Sequence, residues 1–249
     1  NPLTGWVLYA SMGVDAADFW AQYDHMYIPE LGHNVSVTDY AHTLYIRASW
    51  TDFNPQEDVY GWKIDSNLRA YIEGAYQRNM RLAFRVVVDS RDKRTEFTPQ
   101  FVKDAGAKGF MNKGKWSPYS DDPVFQKYYT KFVKALAKDF NDPSKVEFID
   151  GFGLGKWGEY HTMIYSTGDD TPKKAVFNWV TDIYSQAFDK VPVVINYHRW
   201  IGAGKDWVDD EHFAADSEEM LEEAIKKGYS LRHDAFGMTT YYGSWERRF

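Results

Sequence analysis

Short apolar runs rich in β-branched and aromatic residues recur along the chain. Each has the length and composition of a strand that is buried on both faces. The pattern therefore predicts six buried strands. They lie at residues 5–10, 43–50, 80–88, 146–154, 191–198 and 231–238.

Apolar residues repeat every three or four positions in the segments between these runs, which is the spacing of one helix face. Asp65 or Ser66, Asp122 and Thr171 stand where N-caps are expected, and Gly228 stands where the last helix should end. The spacing predicts helices around residues 68–76, 125–136, 176–183 and 220–225.

Alternating buried strands and helices are typical of a parallel sheet, either doubly wound or closed into a (β/α)8 barrel. A doubly wound dinucleotide-binding sheet carries a glycine-rich turn after its first strand, and the segment there has only Gly13. We therefore expect an α/β fold of the (β/α)8 TIM-barrel class. Residues 91–120, rich in Lys, Gly and Pro, are expected to form a long loop after the third strand.

The predicted strands recur about every 40 residues, so that eight units would need roughly 320 residues, against about 250 in a typical barrel. The chain has 249 residues. We therefore expect one domain over residues 1–249 that holds only about six of the eight barrel units and is incomplete at its C-terminus.

The composition, with 44% hydrophobic and 26% charged residues, is that of a soluble globular protein, and no apolar run is long enough for a membrane span. A net charge of −7 without a Lys/Arg stripe argues against nucleic acid as a partner. The chain has no cysteine, which excludes disulfides, zinc–thiolate sites and a cysteine nucleophile. We expect an extracellular or periplasmic bacterial protein, although the absence of a signal peptide before Asn1 also fits a cytoplasmic one.

Aromatic residues are frequent, with 10 Trp, 18 Tyr and 16 Phe, and several follow predicted strands, where a barrel builds its active site. Rings beside charged and amide groups suit a carbohydrate, which stacks its C–H faces and hydrogen-bonds through its hydroxyls. A large aromatic core and a protein-binding patch are the alternatives. The candidate sugar contacts are Arg47, Trp50, Arg85, Trp157, Tyr160, His161, Asn196, His198, Trp200, Asp234 and Trp245.

Glu159 lies in the segment GFGLGKWGEYH, whose glycines allow close backbone approach and leave the carboxylate at the mouth of a barrel. Partial shielding by Trp157 and Tyr160 would suit a general acid. Alternatively, Glu159 is a loop carboxylate that caps a helix or pairs with Arg85.

Metal and serine chemistry have weaker support. His161, His198 and His233 come from separate segments without the spacing of metal ligands, so no metal site and no cofactor are predicted. Ser11 and Ser49 lack the context of a nucleophile elbow.

Two long segments resemble β-galactosidase-like glycoside hydrolases of clan A. Residues 48–86 are similar to the region that follows strand two in that family, and residues 121–161 are similar to its unit from helix three to strand four. The short segment LRHDAFG resembles strand six of poorly characterised relatives. The first match rests on Trp50, Pro55, Glu57, Tyr60, Gly61, Trp62 and Asp65.

The resemblance implies a retaining glycosidase in which Glu159 is the general acid/base. The family nucleophile is a Glu at the end of strand seven, which implies a nucleophile beyond residue 249; Asp234 and Glu246 are the substitutes within the chain. The family also has Asn before the acid/base, where this chain has Gly158, so its sugar contacts must differ.

The expected function is hydrolysis of an oligosaccharide or polysaccharide. A non-catalytic carbohydrate-binding barrel or pseudoenzyme is the alternative that Gly158 and the missing second carboxylate favour. A phosphate-handling barrel would instead need an anion site after strands seven and eight.

Overall fold

Six parallel strands form one sheet, in which neighbouring strands are also consecutive along the chain. The computed structural model describes residues 6–89, 95–196, 201–204 and 211–232, with residues 211–215 described by their backbone alone. The sheet strands, numbered β1 to β6, are Trp6–Tyr9, Ala41–Ser49, Arg81–Val87, Val146–Asp150, Val193–Asn196 and Ser230–Arg232.

One long helix connects each strand to the next. A sheet that keeps the chain order without reversal is wound in one direction, as in a barrel, whereas a doubly wound sheet reverses at a switch point. The described strands thus form part of a (β/α)8 barrel, and the predicted fold class is confirmed. The helices, numbered α1 to α5, are Ala16–Asp24, Ser66–Gln77, Pro123–Phe140, Lys173–Ala187 and Glu211–Lys226.

The capping residues that the sequence indicated begin two of these helices. The Asp65 carboxylate accepts a hydrogen bond from the backbone N–H of Leu68 at 2.7 Å, at the start of α2. Asp122 accepts from Phe125 at 2.9 Å before α3. Gly228, with a φ of 91°, follows the end of α5. Within the described part of the chain, every helix is too short or too polar to cross a membrane.

The connection after β3 was predicted as a long loop, and this prediction was wrong for its described part. The helix Gln100–Asp104 and an antiparallel hairpin, Gly109–Asn112 with Lys115–Pro118, lie within it. The sequence reading also missed α1, although Phe19 and Trp20 provide its buried face. The remaining short elements are the hairpin Met26–Ile28 with His33–Val35, the helices Trp50–Phe53 and Gly61–Ile64, and single turns at Val37–Asp39 and Lys156–Gly158.

The two faces of the sheet differ in chemistry. Leu44 and Ile46 of β2 and Phe84 of β3 belong to the hydrophobic core beneath the helices. Because successive side chains of a strand point to opposite faces, Tyr45 and Arg85 lie on the inner face of the curled sheet. The inner face is therefore polar, and the outer face holds the fold together through apolar packing.

Trp50 was predicted to be a sugar-stacking platform after β2, and the structure contradicts this. It begins a short helix capped by Ser49 and has 0% of its surface exposed. Its ring contacts Phe125 and Tyr129 of α3, with centroids 6.0 and 5.2 Å away. Trp50 is therefore a core residue, and no ligand can stack on it.

We expect Phe84→Ala to lower the free energy of unfolding by about 3–5 kcal/mol, because the substitution leaves a cavity in a closely packed core. Phe84 is 0% exposed, and its ring centroid lies 4.7 Å from that of Phe140. Urea denaturation measures the change. Met111→Ala is the control, since Met111 is 60% exposed. A loss below about 1 kcal/mol for Phe84→Ala would contradict the assigned core.

Candidate active site

A buried carboxylate lies at the centre of the inner face. Asp150, the last residue of β4, is 0% exposed. Its Oδ2 accepts hydrogen bonds from the Tyr45 hydroxyl and from Nε of Arg85, the latter at 3.0 Å. Its Oδ1 accepts from Nε of Arg232 at 2.8 Å. One carboxylate thus connects four strands of the sheet.

Tyr45, Asp150 and Arg232 come from β2, β4 and β6, which are alternate strands. Alternate strands supply the side chains of one interior layer in a barrel, and such layers usually consist of branched aliphatic residues. Here the layer is hydrogen-bonded and charged. It forms a polar floor beneath the ends of the strands.

Burial raises the pKa of Tyr45 well above its ordinary value, and the charge of Asp150 adds to this effect. The tyrosine therefore stays protonated and donates to Asp150. The guanidinium carbons of Arg232 and Arg85 lie 5.6 and 6.0 Å from the centre of its ring, at cation–π distance. The ring of Tyr45 thus faces both cations, while its hydroxyl donates to the carboxylate that they share.

Glu159 lies next to this floor, in the connection that follows β4. Nη1 of Arg85 donates to its Oε1 at 3.2 Å, and Nε2 of His161 lies 3.5 Å from its Oε2. Its side chain is 17% exposed, whereas that of Arg85 is 1% exposed. The pairing with Arg85 that the sequence analysis raised as an alternative is present. The carboxylate is nevertheless within reach of solvent.

The backbone around Glu159 is strained. Trp157, Tyr160 and Thr162 have φ values of 57°, 59° and 50°, in the left-handed region that non-glycine residues rarely adopt. Such residues cost about 1–3 kcal/mol each and cluster at functional sites. A β-branched Thr and two bulky rings in this conformation make the segment a candidate functional site.

Glycine makes the same segment possible at Gly153 and Gly155, where φ is 71° at both positions. A Cβ on Gly153 would overlap the carbonyl oxygen of Val86, at the end of β3. A Cβ on Gly155 would lie 2.6 Å from the carbonyl oxygen of His161. The segment therefore folds back on itself and against β3 in a way that other residues would prevent.

Tyr160 was predicted to contact substrate, but the structure turns it inward. Its ring is 0% exposed and meets the edge of the Phe177 ring of α4, with centroids 5.5 Å apart. Its N–H donates to the Leu154 carbonyl at 2.8 Å, and its own carbonyl accepts from Gly202 at 2.7 Å. Tyr160 is therefore the anchor that fixes the adjacent Glu159.

Trp157 remains partly exposed beside the carboxylate. Its carbonyl oxygen accepts from Nη2 of Arg47 at 2.6 Å, and the Lys156 ammonium lies 4.2 Å from the centre of its ring. The ring of His161 lies 5.7 Å away, edge to face. The backbone of Trp157 is thus fixed, and the residue is partly exposed beside Glu159.

The predicted contact residues other than Trp50 and Tyr160 separate into three groups. Arg47, Trp157 and His161 lie around Glu159, as expected of a common site. Arg85 and Asn196 lie on the strands themselves and are 1% and 2% exposed, so direct contact with sugar hydroxyls stays a prediction for both. Alternate positions of a strand on a curled sheet point inward, where neighbouring side chains cover them. The third group lies outside the described residues: His198, Trp200, Asp234 and Trp245.

Sequence reasoning missed Tyr45 and Asp150, although both carried a signal. Asp150 ends the strand VEFID, and Thr43, Tyr45 and Arg47 alternate with the apolar residues Leu44 and Ile46 in β2. Polar residues two apart in a buried strand share one face. They indicate that this face lines a polar site rather than a core.

His161 is 7% exposed, and its Nδ1 lies 3.0 Å from the hydroxyl of Thr162. It therefore stands between Thr162 and the carboxylate of Glu159. Over the described ranges, the structure contains no group of three or more His, Asp and Glu side chains that could hold a metal ion.

Comparison with known proteins gives no match to a protein family and none to a curated protein. Among solved structures, the chain is similar to an exo-β-1,4-mannosidase from an Opitutaceae bacterium, at 14% identity and a TM-score of 0.49. Endo-glycoceramidase II from Rhodococcus sp. is similar at 13% identity and 0.48. An endo-1,4-β-xylanase from Caldicellulosiruptor owensensis is similar at 13% and 0.44.

These similarities cover 79%, 90% and 78% of this chain, respectively. They cover 31%, 61% and 53% of the three solved chains. This chain therefore spans less than two thirds of the length of each of these structures.

We expect Gly153→Ala to destabilise the Glu159 segment, because alanine disfavours a positive φ and its Cβ would overlap Val86. The expected loss in unfolding free energy is at least about 2 kcal/mol, from left-handed strain plus overpacking. Thermal denaturation measures it. Gly13→Ala is the matched control, since nothing lies within 4 Å of its added Cβ and its φ is not positive. Equal stability of the two variants would contradict the described backbone.

Proposed function

We infer that the chain supplies the acid/base part of a retaining glycosidase site, with Glu159 as the general acid/base. One observation carries this proposal: a solvent-accessible carboxylate is held in a fixed orientation on a strained segment at the carboxyl end of a barrel strand. Active sites of (β/α)8 enzymes lie at this end. Strain at such a position is typical of functional segments.

The surroundings of Glu159 hold its carboxylate in one direction. Arg85 holds one carboxylate oxygen and His161 lies near the other, so the group has a defined direction while 17% of its side chain is exposed. A general acid must reach the leaving oxygen within hydrogen-bond distance, and a fixed carboxyl group does this with little loss of entropy. In the proposed reaction, Glu159 protonates the glycosidic oxygen and later deprotonates the attacking water.

The groups around the carboxylate suit a sugar. The partly exposed ring of Trp157 provides a stacking surface, and Arg47 and His161 supply hydrogen-bonding groups beside it. Pyranose rings bind in this manner, with C–H faces on an indole and hydroxyls on charged groups. We therefore propose an oligosaccharide or polysaccharide substrate.

A retaining mechanism needs a second carboxylate about 5–5.5 Å from the first, which attacks the anomeric carbon. Asp150 cannot play this role, because it is 0% exposed and two guanidinium groups occupy its oxygens. Asp234 and Glu246 lie outside the described residues. We propose a nucleophile that follows residue 249, in a further unit of the same barrel domain.

We also propose an enzyme class and a location for the protein. The resemblance of residues 48–86 and 121–161 favours a β-galactosidase-like enzyme of clan A that degrades glycans. We propose an extracellular or periplasmic location, where such polymers are found.

We expect Glu159→Gln to lower kcat by about 10²–10⁴-fold on unactivated glycosides, because the amide cannot donate a proton to the leaving oxygen. The loss should be smaller on dinitrophenyl glycosides, whose leaving group departs without a proton. The assay uses the full-length protein. Galactosides, mannosides, xylosides and their oligomers form the substrate panel, and NMR of the first-formed product gives its anomer.

Glu57→Gln is the matched control, because Glu57 is an exposed carboxylate that pairs with Lys131 away from the site. Its kcat should stay within about twofold of wild type, as for surface substitutions in general. An equal rate for Glu159→Gln and wild type on every substrate would refute the role of Glu159. A product of inverted configuration would refute retention.

A non-catalytic sugar-binding barrel is the second candidate. Two observations favour it: Gly158 precedes Glu159, and within the described residues the nearest buried acid, Asp150, is already neutralised by arginines. This alternative predicts that the wild-type protein binds an oligosaccharide in calorimetry but releases no product from it. Turnover that depends on Glu159 would exclude it.

A further inference from the structure

We propose that Asp150 is a positioning residue, which fixes Glu159 by orienting the guanidinium group of Arg85. Asp150 does not touch the proposed substrate. The inference rests on the proposed function of Glu159 and adds to it the residue that determines where the acid/base carboxylate stands. Three features of the inner face support it.

The first feature is the cost of burying Asp150. A carboxylate with 0% exposure loses its hydration, and well-packed apolar residues often replace such buried ion pairs without loss of stability. Asp150 nevertheless accepts hydrogen bonds from three side chains, those of Tyr45, Arg85 and Arg232. This arrangement is better explained by fixed geometry than by stability alone.

The second feature is the planarity of Arg85. Its Nε donates to Asp150 at 3.0 Å and its Nη1 donates to Glu159 at 3.2 Å. Because the guanidinium is a rigid plane, the bond at Nε sets the direction in which Nη1 points. The position of Oε1 of Glu159 therefore follows from the position of Asp150, although the two carboxylates do not share a hydrogen bond.

The third feature is charge balance. Asp150 faces two guanidinium groups, those of Arg85 and Arg232, with Nε atoms at 3.0 and 2.8 Å. One negative charge thus meets two positive charges, and the Glu159 carboxylate adds a second negative charge at Arg85. Without the charge of Asp150, Arg85 would lose one ion-pair partner on the floor, and the attraction of Glu159 for the guanidinium would weigh more in setting its position.

The same two strands contain a natural comparison. Arg81 and Glu147 form an ion pair between β3 and β4, and Glu147 is 6% exposed. This pair lies at the amino ends of the strands, whereas Arg85 and Asp150 lie toward their carboxyl ends. If the Arg85–Asp150 pair only joined β3 to β4, breaking either ion pair would lower stability and leave Glu159 in place. If Asp150 positions Glu159, breaking the Arg85–Asp150 pair should also displace Glu159, and breaking the Arg81–Glu147 pair should not.

The experiment compares Asp150→Asn with Glu147→Gln, two isosteric changes that each remove one buried charge from β4. We expect Asp150→Asn to lower Tm more than Glu147→Gln, because Arg85 is 1% exposed whereas Arg81, the partner of Glu147, is 39% exposed. Asp150→Asn should also lower kcat by about 100-fold, the size of effect that a misplacement of about 1 Å produces, with KM within a few-fold of wild type. Glu147→Gln should keep kcat within about twofold, when both are assayed well below their Tm.

An NMR measurement without substrate keeps the proposal separate from the proposed function. The side-chain signals are those of the Arg85 Nε–H and the Glu159 carboxyl carbon, assigned by their loss in Arg85→Lys and Glu159→Gln. Asp150→Asn should move both signals and speed the exchange of the Nε–H with water. Glu147→Gln should leave both unchanged.

Tyr45→Phe removes a different donor from the same oxygen of Asp150 and should leave the Arg85 and Glu159 signals near their wild-type positions. Unmoved signals in Asp150→Asn, or an equal loss of kcat in Glu147→Gln, would overturn the proposal. If the wild-type protein cleaves no glycoside while Asp150→Asn still displaces Arg85 and Glu159, the proposed function fails and the positioning role stands.

Discussion

The structure of this site depends on one buried carboxylate that receives hydrogen bonds from three other strands. Asp150 binds Tyr45 of β2, Arg85 of β3 and Arg232 of β6. A buried charge requires such partners, because its desolvation costs several kcal/mol otherwise. These hydrogen bonds hold β2, β3, β4 and β6 in fixed positions on the inner face. They also make polar a barrel layer that is usually aliphatic.

The segment after β4 provides the second constraint. Its glycines allow contact with β3, and the ring of Tyr160 anchors the segment by packing against Phe177 of α4. The resulting backbone places three non-glycine residues at positive φ, which costs free energy that the surrounding packing must offset. The gain is a carboxylate, Glu159, that is fixed on both sides and still open to solvent. Rigid support beneath a partly exposed group is what acid–base chemistry requires.

Hydrophobic periodicity predicted the sheet and most of the helices, because a buried strand needs a run of apolar residues and a helix face needs one every three or four positions. It placed Glu159 correctly after β4. It failed at Trp50, since a residue at a strand end can turn toward the core or the mouth, and the capping Ser49 started a helix that turned it inward. It missed Asp150 because its partner Arg85 lies 65 residues away, and only the folded sheet brings them together.

A crystal structure of the Glu159→Gln protein with a bound oligosaccharide tests the role of Glu159 most directly. We expect the glycosidic oxygen within about 2.6–3.2 Å of the side chain at position 159, a sugar ring on Trp157, and Arg85 still bonded to Asp150. A sugar bound away from residue 159, or a site in which Arg85 and His161 fill the space around it and exclude the ligand, would contradict it.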